Sequence, residues 1–518
     1  MSASREKKNR QDLSNQGYVD PKTVRAAEEK AKERKNNRLY VLIAVLFVLV
    51  AVVVLVWNSG VIQRNATAME VDGEKFTPAE VSYFYRNAYS NIANSGYASY
   101  YGLDTATPLD DQPLNDTAKM LLGVEEDMSW ADYFMKQTKD TMVQFTTIAK
   151  EADAENFAFT DEMNAEVQDT MDSLASYAKQ YGYSAKDYVK LIYGGNMTLD
   201  TFEKLVRQQV LVSGYTKAYQ EGLNYTDSDL QKYYESDKDC FDVAAYDYIY
   251  FSGTAASTTD ANGNTVEPTE EENAAKMAQA KEDSQAALER VTAGEDMEKV
   301  ADSYEGGTFS TITAGTNYGD ELSNWVFDSA RKAGETAVLE TEGGYYVVKF
   351  GSVGRQEYRT VNVRHILIDA DTDSLDQESE TYDADVKAAN DAAKAEAEDI
   401  LQQWKSGAAT EQSFAELAKE YSADGNASSG GLYENVYKNQ MVTAFNDWCF
   451  DPARKTGDTA VVETNYGYHV MYFVDYSIPY WKVQVKDEMT NADMNEWLEG
   501  LTADKTAVEG AGMKYVNF

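Results

Sequence analysis

A 27-residue segment occurs twice in this chain, and the duplication constrains the fold more than any other feature. Residues 324–350, NWVFDSARKAGETAVLETEGGYYVVKF, align without gaps with residues 447–473, DWCFDPARKTGDTAVVETNYGYHVMYF. The two segments lie 123 residues apart and are identical at 16 positions. Similarity of this kind at a fixed spacing indicates two structural repeats that fold alike. Only the second copy carries a histidine, His469, where the first has Tyr346.

Each repeat shows the same order of predicted elements. A strand comes first, YDYIYF at 246–251 and VRHILI at 363–368, and an acidic, alanine-rich helical region follows at 271–305 and 383–422. A glycine-containing loop, a short helix and paired strands complete each unit. Strands and helices mixed in one compact unit are typical of an α+β domain. The sequence therefore predicts an α+β, multidomain protein.

A helical region precedes the repeats. The segment 71–89, VDGEKFTPAEVSYFYRNAY, predicts a short strand, a turn and a helix that begins with a capping box at Thr77 and Glu80. Residues 130–240 have helical periodicity, whereas residues 90–118 are polar and predict a loop or an insertion.

The C-terminal tail belongs to neither repeat. It offers one helix and a final strand-like KYVNF at 514–518. A return of this tail to the N-terminal helical domain is one open arrangement.

Charge and hydropathy are distributed unevenly along the chain. The net charge is −40, but residues 1–38 hold 11 Lys/Arg and 6 Asp/Glu, so the remainder carries about −45 (−40 minus +5). Residues 39–57, LYVLIAVLFVLVAVVVLVW, are uncharged and long enough to cross a bilayer as a helix. The basic flank at 34–38 predicts a cytoplasmic N-terminus. The alternative is a signal peptide cleaved after ATA at 66–68, although its leader and apolar core would be long.

Composition excludes several classes of function. Nucleic-acid-binding domains carry basic patches, whereas the part of this chain after the apolar segment, the predicted ectodomain, is strongly acidic. The two cysteines, Cys240 and Cys449, predict either one disulfide or two buried thiols. Two cysteines and two histidines are too few for an ordinary structural zinc site.

The segment 369–385, DADTDSLDQESETYDAD, contains eight acidic residues and no Lys or Arg. The residues with the spacing of a calcium loop are Asp369, Asp371, Asp373 and Glu380, but Ser374 occupies the position where such loops require glycine. We therefore expect no metal and no cofactor. Negative charge in this segment would instead repel a phosphorylated substrate.

The second repeat contains both histidines of the chain, His365 in its first strand and His469 in its last. The motifs VRHILI, FAELAKEYSADGNASSGG, QMVTAFNDWCF and ETNYGYHV follow, in order, the pattern of parvulin-type peptidyl-prolyl isomerases. With the apolar segment and the helical region, the chain resembles the extracytoplasmic foldases of the PrsA and SurA kind. The resemblance covers residues 360–477 well and residues 245–352 as a degenerate copy.

This resemblance implies the residues that would catalyse isomerisation of X–Pro peptide bonds. The residues expected to form a polar catalytic network are His365, Asp424, Thr464 and His469. The residues expected to line a proline pocket are Leu432, Met441 and Phe445. Around the pocket leucine the chain reads GGLYE, where the family usually has an acidic residue and a further glycine.

The first repeat lacks this network. Tyr248 and Tyr346 stand where the resemblance places the histidines, and Gly307 stands where it places the aspartate. Tyr318 and Leu322 replace the methionine and phenylalanine of the pocket. The first copy is therefore expected to be a parvulin-shaped domain without isomerase activity, acting as a binding surface or a spacer.

These observations predict a membrane-anchored extracytoplasmic foldase that acts on unfolded or newly secreted polypeptides and binds no nucleic acid. The expected parts are a cytoplasmic basic tail (1–38), a transmembrane helix (39–57), a helical chaperone-like domain (65–242), a degenerate parvulin-like domain (243–354), a parvulin isomerase domain (359–478) and a C-terminal helix and strand (479–518). The alternatives are a holdase chaperone without catalysis and an envelope scaffold that uses the repeats as interaction modules.

Overall fold

The computed structural model describes residues 7–8, 11–12, 21–58, 60–260, 263–370, 372 and 375–518. The predicted calcium-loop positions Asp371 and Asp373, together with Ser374, lie outside the described residues. The chain divides into two compact units, Met1–Leu223 with Met494–Phe518, and Asn224–Asp493.

The first unit is mainly helical. Its helices are α1 (Pro21–Asn58), α2 (Val61–Asn65), α3 (Pro78–Ala93), α4 (Asp116–Leu122), α5 (Trp130–Ala154), α6 (Asp161–Gln180), α7 (Ala185–Tyr193) and α8 (Leu199–Gly222). Helix α3 begins with the predicted capping box, in which Thr77 N donates to Glu80 Oε2 (2.7 Å) and Glu80 N donates to Thr77 Oγ1 (3.4 Å). Within the described residues, no helix is both long enough and apolar enough to cross a membrane.

A small antiparallel sheet completes the first unit. Its strands, in the spatial order β13-β1-β2, are β1 (Met69–Val71), β2 (Glu74–Phe76) and β13 (Ala507–Glu509). The register pairs Glu70 with Lys75 on one side and with Val508 on the other. Strand β13 therefore joins the C-terminal tail to the first strand after the apolar segment.

The prediction of a C-terminal strand at KYVNF, residues 514–518, is wrong in its position. Residues Met513–Tyr515 form a 3-10 turn, and the strand of the tail is β13 instead. The backbone of the last residues is bonded to side chains of the turn before α8 and of α3: Asn196 Nδ2 donates to Tyr515 O (3.0 Å), and Asn517 N donates to Ser82 Oγ (2.9 Å). These partners satisfy backbone groups that would otherwise favour a sheet.

The second unit contains two equivalent four-stranded antiparallel sheets. The first, in the order β6-β3-β8-β7, consists of β3 (Val243–Ser252), β6 (Gly307–Gly315), β7 (Thr336–Thr341) and β8 (Gly344–Gly354). The second, in the order β10-β9-β12-β11, consists of β9 (Arg359–Ile368), β10 (Leu432–Val436), β11 (Thr459–Thr464) and β12 (Gly467–Pro479). A two-stranded hairpin, β4 (Thr258–Thr259) and β5 (Thr265–Val266), lies in a loop of the first repeat.

Helices occupy matching places in the two repeats. The helices of the first repeat are α10 (Glu270–Thr292), α11 (Met297–Asp302) and α12 (Glu321–Val326). Those of the second repeat are α13 (Tyr382–Ser406), α14 (Glu411–Tyr421) and α15 (Thr443–Cys449). Two further helices flank the repeats in the chain, α9 (Asp227–Ser236) and α16 (Tyr480–Thr502).

The edge strands β6 and β10 are absent from the predicted order of elements. The segment LYENV of β10 is five residues long, and its polar residues resemble a loop. Its pairing with β9, through Leu432–Arg364 and Tyr433–Val363, becomes visible only when the sheet is assembled.

Each face of the second sheet has a separate core. Ile366 and Ile368 pack with helices α13 and α14, whereas Val361 and Val363 pack with α15. Because side chains alternate along a strand, His365 lies on the face of Val361 and Val363. The candidate site is on this second face.

The connection between the repeats is held by aromatic residues. The Arg355 guanidinium lies 3.8 Å from the ring centre of Trp481 and 4.8 Å from that of Tyr234. Arg355 Nη1 also donates to Gln231 Oε1 (2.7 Å). Helices α9 and α16 thus anchor the segment that leads from β8 to β9.

The two cysteines are both free. Cys449 is buried in α15, as the thiol alternative predicts, and burial raises the pKa of its thiol to about 12. Cys240 is exposed, so the expectation of two buried thiols is wrong at that residue. Its Sγ donates to Asp237 Oδ2 (3.1 Å) at the end of α9.

Candidate active site

The two histidines form the centre of the site. In the register of β9 and β12, His365 pairs with Met471 and His469 pairs with Leu367. The imidazoles are therefore diagonal neighbours on one face of the sheet. His365 is 1% exposed and His469 5% exposed, and their Nδ1 atoms lie 3.0 Å apart.

Polar groups extend this pair at both ends. Thr464, the last residue of β11, places Oγ1 2.9 Å from His469 Nε2. At the other end, Asp424 Oδ2 lies 3.4 Å from His365 Nε2. Four predicted site residues thus form one row, in the order Asp424, His365, His469 and Thr464.

The proton positions along the row depend on one another. Only one of the two Nδ1 atoms can carry a proton when they share a hydrogen bond between neutral rings. If Thr464 donates to His469 Nε2, then His469 Nδ1–H donates to His365 Nδ1, and the proton on His365 Nε2 faces Asp424. Within the described residues His365 Nε2 has no hydrogen-bond partner, so its 3.4 Å separation from the carboxylate is an electrostatic contact.

Both imidazoles favour the neutral form. Burial lowers the pKa of His365, with Asp424 opposing this change. Burial and the neighbouring His365 lower the pKa of His469 to about 4, again opposed by Asp424. At neutral pH the pair is therefore uncharged, and it can orient a substrate without exchanging a proton.

A ten-residue loop between α14 and β10, residues 422–431, carries Asp424. Leu367 N donates to Ser422 Oγ (3.1 Å), and Ala423 N donates to Leu367 O (2.9 Å). Asn426 N donates to Asp424 Oδ1 (3.0 Å). These bonds attach the loop to β9 and orient the carboxylate toward the histidines.

Gly431 brings the end of this loop against β9. His365 N donates to Gly431 O (2.9 Å), and Gly431 has a φ of +66°. A Cβ at this position would lie 2.1 Å from His365 O. Only glycine allows this approach of the two backbones.

An apolar wall lies beside the histidines. Phe445 of α15 is buried, and its ring centre lies 5.5 Å from that of His365 and 5.4 Å from that of His469, edge-on to both. Met441, just before α15, is partly buried in the same cluster. Phe445 and Met441 together line an apolar surface next to the polar row.

The prediction of Leu432 as a pocket residue is wrong. Leu432 pairs with Arg364, and cross-strand partners share a face of the sheet. Arg364 lies on the face opposite His365, so Leu432 does as well. The next residue, Tyr433, pairs with Val363 and packs in the apolar cluster of the site.

Tyr433 is a residue of the site that the sequence did not predict. Its ring stacks on His365, with centroids 5.2 Å apart and planes at 27°. Its hydroxyl donates to Asp424, at 3.2 Å from Oδ1 and 3.4 Å from Oδ2. The sequence GGLYE departs from the family pattern, and this departure was the one sign that the pocket residue could differ. Only the register of β10 shows that Tyr433 lies on the face of the site.

The first repeat places different residues on the same framework. Tyr248 and Tyr346 occupy the positions of the histidines, with ring centroids 5.2 Å apart and planes at 67°. The connection from α11 to β6 has four residues, 303–306, where the second repeat has ten. Gly307 is the first residue of β6, and a Cβ there would lie 2.8 Å from Ala301 O. The backbone therefore leaves no place for a counterpart of Asp424.

Within the described ranges, no three His, Cys, Asp or Glu side chains are arranged to hold a metal ion.

Two family models match the chain. Residues 351–476 match the PPIC-type PPIASE domain, and residues 32–216 match the SurA-like N-terminal domain. The first match contains the whole polar row and the apolar wall.

A curated relative and several solved structures are also similar. Chaperone SurA of Chromohalobacter salexigens is 25% identical over 363 residues, which are 66% of this chain and 72% of that protein. The crystal structure of PrsA from Bacillus subtilis is 15% identical, and the match covers 73% of this chain and 89% of the PrsA chain, with a TM-score of 0.29. The foldase protein PrsA of Lactococcus lactis is 16% identical and covers 64% of this chain and 87% of its own, with a TM-score of 0.17.

Proposed function

We propose that this chain, which matches the PPIC-type PPIASE domain over residues 351–476 and the SurA-like N-terminal domain over residues 32–216, is an extracytoplasmic foldase that catalyses cis–trans isomerisation of X–Pro bonds in its second repeat. The observation that carries this proposal is the buried row from Asp424 through His365 and His469 to Thr464, adjoining an apolar wall. Its partners would be unfolded or newly secreted polypeptides.

The apolar wall suits the proline ring. Rotation about an X–Pro amide has a barrier of roughly 18–20 kcal/mol, and no bond is made or broken. Phe445 offers a flat surface and Met441 a flexible one, next to the buried histidines. A pyrrolidine ring held there keeps water from the amide, and water stabilises the planar form that must be left.

The polar row would act on the carbonyl before the proline. A carboxylate such as Asp424 next to that carbonyl oxygen opposes the negative charge of the planar resonance form. His365 and His469 are neutral, since burial lowers their pKa values, and they hold the row in one arrangement. Thr464 fixes the orientation of the last imidazole. Catalysis in this account is electrostatic and does not need a general base.

The first repeat would have no isomerase activity. Its tyrosine pair lacks the hydrogen-bonded row, and its short connection at 303–306 has no loop to carry a carboxylate. It would serve as a binding surface or a spacer.

Membrane anchoring is a further part of the proposal, and the sequence supports it. Residues 39–57 are uncharged, follow a basic flank and lie in helix α1. The large apolar side chains of residues 41–55 are exposed. This topology would put residues 1–38 in the cytoplasm, the segment 39–57 in the membrane and the rest outside. Protease added to intact cells should then digest the ectodomain, and its protection would contradict this topology.

The proposed division of the ectodomain follows the predicted boundaries. These are a chaperone-like domain at 65–242, a degenerate parvulin-like domain at 243–354, the isomerase domain at 359–478 and a C-terminal segment at 479–518.

A second candidate activity is holding unfolded chains without catalysis. The first unit supports it with a group of exposed tyrosines at the end of α6 and in the turn before α7. Tyr177, Tyr181 and Tyr183 are exposed, and Tyr181 stacks on Tyr188 with ring centroids 6.2 Å apart. Exposed aromatic groups of this kind mark surfaces that bind other chains. A foldase could combine both activities.

The test is an isomerisation assay on the full chain, with suppression of client aggregation measured in parallel. Asp424→Ala should lower the isomerase rate by about tenfold or more, because the charged end of the row is lost. Asp391→Ala, which removes an exposed carboxylate from α13, is the matched control and should leave the rate unchanged.

Each outcome of this test has a defined meaning. A folded Asp424→Ala variant with full isomerase activity would refute the catalytic assignment. Loss of isomerisation with aggregation suppression intact would support two separate activities. Loss of both in a folded protein would show that they share one site.

A further inference from the structure

Tyr433 is the side chain of the site that joins its apolar and polar parts. Its ring stacks on His365, with 5.2 Å between the ring centroids and 27° between the planes. Its hydroxyl donates to both oxygens of Asp424, at 3.2 Å and 3.4 Å. Strand β10 fixes this position through the pairing of Tyr433 with Val363.

The carboxylate depends on few hydrogen bonds. Among the described residues, those made by the Asp424 side chain come from Asn426 N and the Tyr433 hydroxyl. The Asn426 bond lies within the loop and spans two residues, so it shapes the loop locally. The Tyr433 bond connects the loop to the sheet, and it therefore sets the distance between Asp424 and His365.

The hydroxyl is not required by the packing alone. A phenylalanine would fill the same space in the apolar cluster and could stack on the imidazole equally well. A polar group that is partly buried in such a cluster costs free energy unless it is hydrogen-bonded. Its donation to a carboxylate meets this condition and makes a strong type of hydrogen bond.

We propose that Tyr433 is a positioning residue for the isomerase, whose hydroxyl holds Asp424 in place while its ring holds His365. This inference rests on the proposed isomerase function and adds to it a residue that acts through the carboxylate. A purely structural role for Tyr433 would need only the ring.

The first test is Tyr433→Phe in the full chain. The isomerase kcat should fall about threefold to tenfold while KM stays nearly constant, since the apolar wall remains and the carboxylate loses a strong hydrogen bond. The thermal midpoint should be close to that of the unmodified chain. Tyr97→Phe, at an exposed tyrosine of the first unit, is the matched control and should change neither quantity.

A double-mutant cycle separates positioning from packing. In the Asp424→Asn background the hydroxyl no longer has a carboxylate to hold, so Tyr433→Phe should have little further effect on kcat. Coupling of this kind is expected for residues in one hydrogen-bonded network. Independent effects that multiply in the double variant would overturn the proposal.

The histidines provide a readout that does not require activity. The chain has only two, so their proton resonances can be followed through a pH titration. The titratable groups facing the pair are Asp424 from the loop and Tyr433 from β10, and Thr464 adds a hydroxyl from β11. Without the phenol, Asp424 is no longer held 3.4 Å from His365, so it stabilises a protonated His365 less and the histidine titration should move to lower pH by up to about one unit.

The two hypotheses fail in different ways. An inactive unmodified chain would refute the isomerase function, while the histidine titration of Tyr433→Phe would still decide the role of the hydroxyl. An active unmodified chain whose Tyr433→Phe variant keeps the same kcat and the same histidine titration would refute only the positioning role.

Discussion

The two repeats of this chain share a sheet but differ in the residues that the sheet presents. In both, a pair of rings lies across the two central strands with centroids 5.2 Å apart. The tyrosines of the first repeat meet edge-on at 67°, whereas the histidines of the second stack at 24° and share a hydrogen bond. The backbone thus provides a place for two rings, and the side chains decide whether that place is polar.

A longer loop accounts for the other half of the difference. The ten residues 422–431 hold Asp424 beside the histidines, and the four residues 303–306 hold no such group. In the first repeat the edge strand begins at Gly307 and pairs along β3, opposite Phe251. The comparison teaches that the fold survives without the site, because the site depends on one loop and a few side chains outside the shared framework.

The largest expected difference concerns two glycines. Gly431→Ala should destabilise the second repeat by about 4 kcal/mol, because a left-handed conformation and a backbone clash at His365 O add together. Gly306→Ala should cost about 1 kcal/mol, since Gly306 has a φ of +87° and open space around it. Hydrogen exchange of the amides of β9 and β3 would report each change separately, and equal effects would contradict the role given to Gly431.

Acid should distinguish the repeats next. The buried histidines bind protons less readily when folded than when unfolded, so their contribution to stability is complete above about pH 6.5 and is lost as the pH falls toward 4. The loss should be on the order of 3 kcal/mol for His469, confined to the second repeat. Tyrosines are neutral throughout this pH range, so the ring pair of the first repeat contributes no such pH dependence to its stability.

Hydrogen exchange at neutral and acidic pH would measure this difference repeat by repeat. Similar losses in both repeats would show that the histidine pair is not the cause. The His365→Tyr, His469→Tyr double variant serves as the control, and the stability of its second repeat should depend less on pH.

Substituting the histidine pair by tyrosines should change the isomerase rate, whereas the reverse substitution should not. His365→Tyr with His469→Tyr should lower the isomerase rate of the full chain by about tenfold or more, which corresponds to about 1.4 kcal/mol or more. The reverse change, Tyr248→His with Tyr346→His, should create no additional activity, because the first repeat lacks the loop with the carboxylate. Additional activity in the reverse variant, measured where the second repeat has been inactivated, would show that the loop is dispensable.

Substrate charge should give the smallest effect. The segment 369–385 has eight acidic residues, whereas the corresponding segment of the first repeat, 253–269, has two. Peptides with Lys or Arg near the proline should be processed about twofold faster at low ionic strength, and salt should reduce the advantage. A phosphate before the proline should lower the rate, and a rate increase with phosphate would be inconsistent with repulsion at this segment.

Much of the architecture followed from local sequence patterns. The duplicated segment, the capping box at Thr77 and the first strand of each repeat all depend on residues close together in the chain. The resemblance to PrsA/SurA-like foldases is confirmed by the two family models. These features could be predicted because short-range periodicity and residue order determine them.

The errors have a common physical origin. The strand predicted at KYVNF, the side assigned to Leu432 and the burial of Cys240 each depended on which distant segment lies alongside. A shift of one residue in strand register exchanges the faces of the sheet, and no local pattern in LYENV reports that register.

The sequence by itself therefore determined that there are two repeats, that the second alone has the histidines, and which residue types are available for a site. The tertiary structure decided which of these residues meet. The pairing of β9 with β12 brought Nδ1 of His365 to 3.0 Å from Nδ1 of His469. The pairing of β10 with β9 put Tyr433, and not Leu432, on the face of the site. Backbone hydrogen bonds between strands far apart in the chain set those pairings, and side chains follow the backbone to one face or the other.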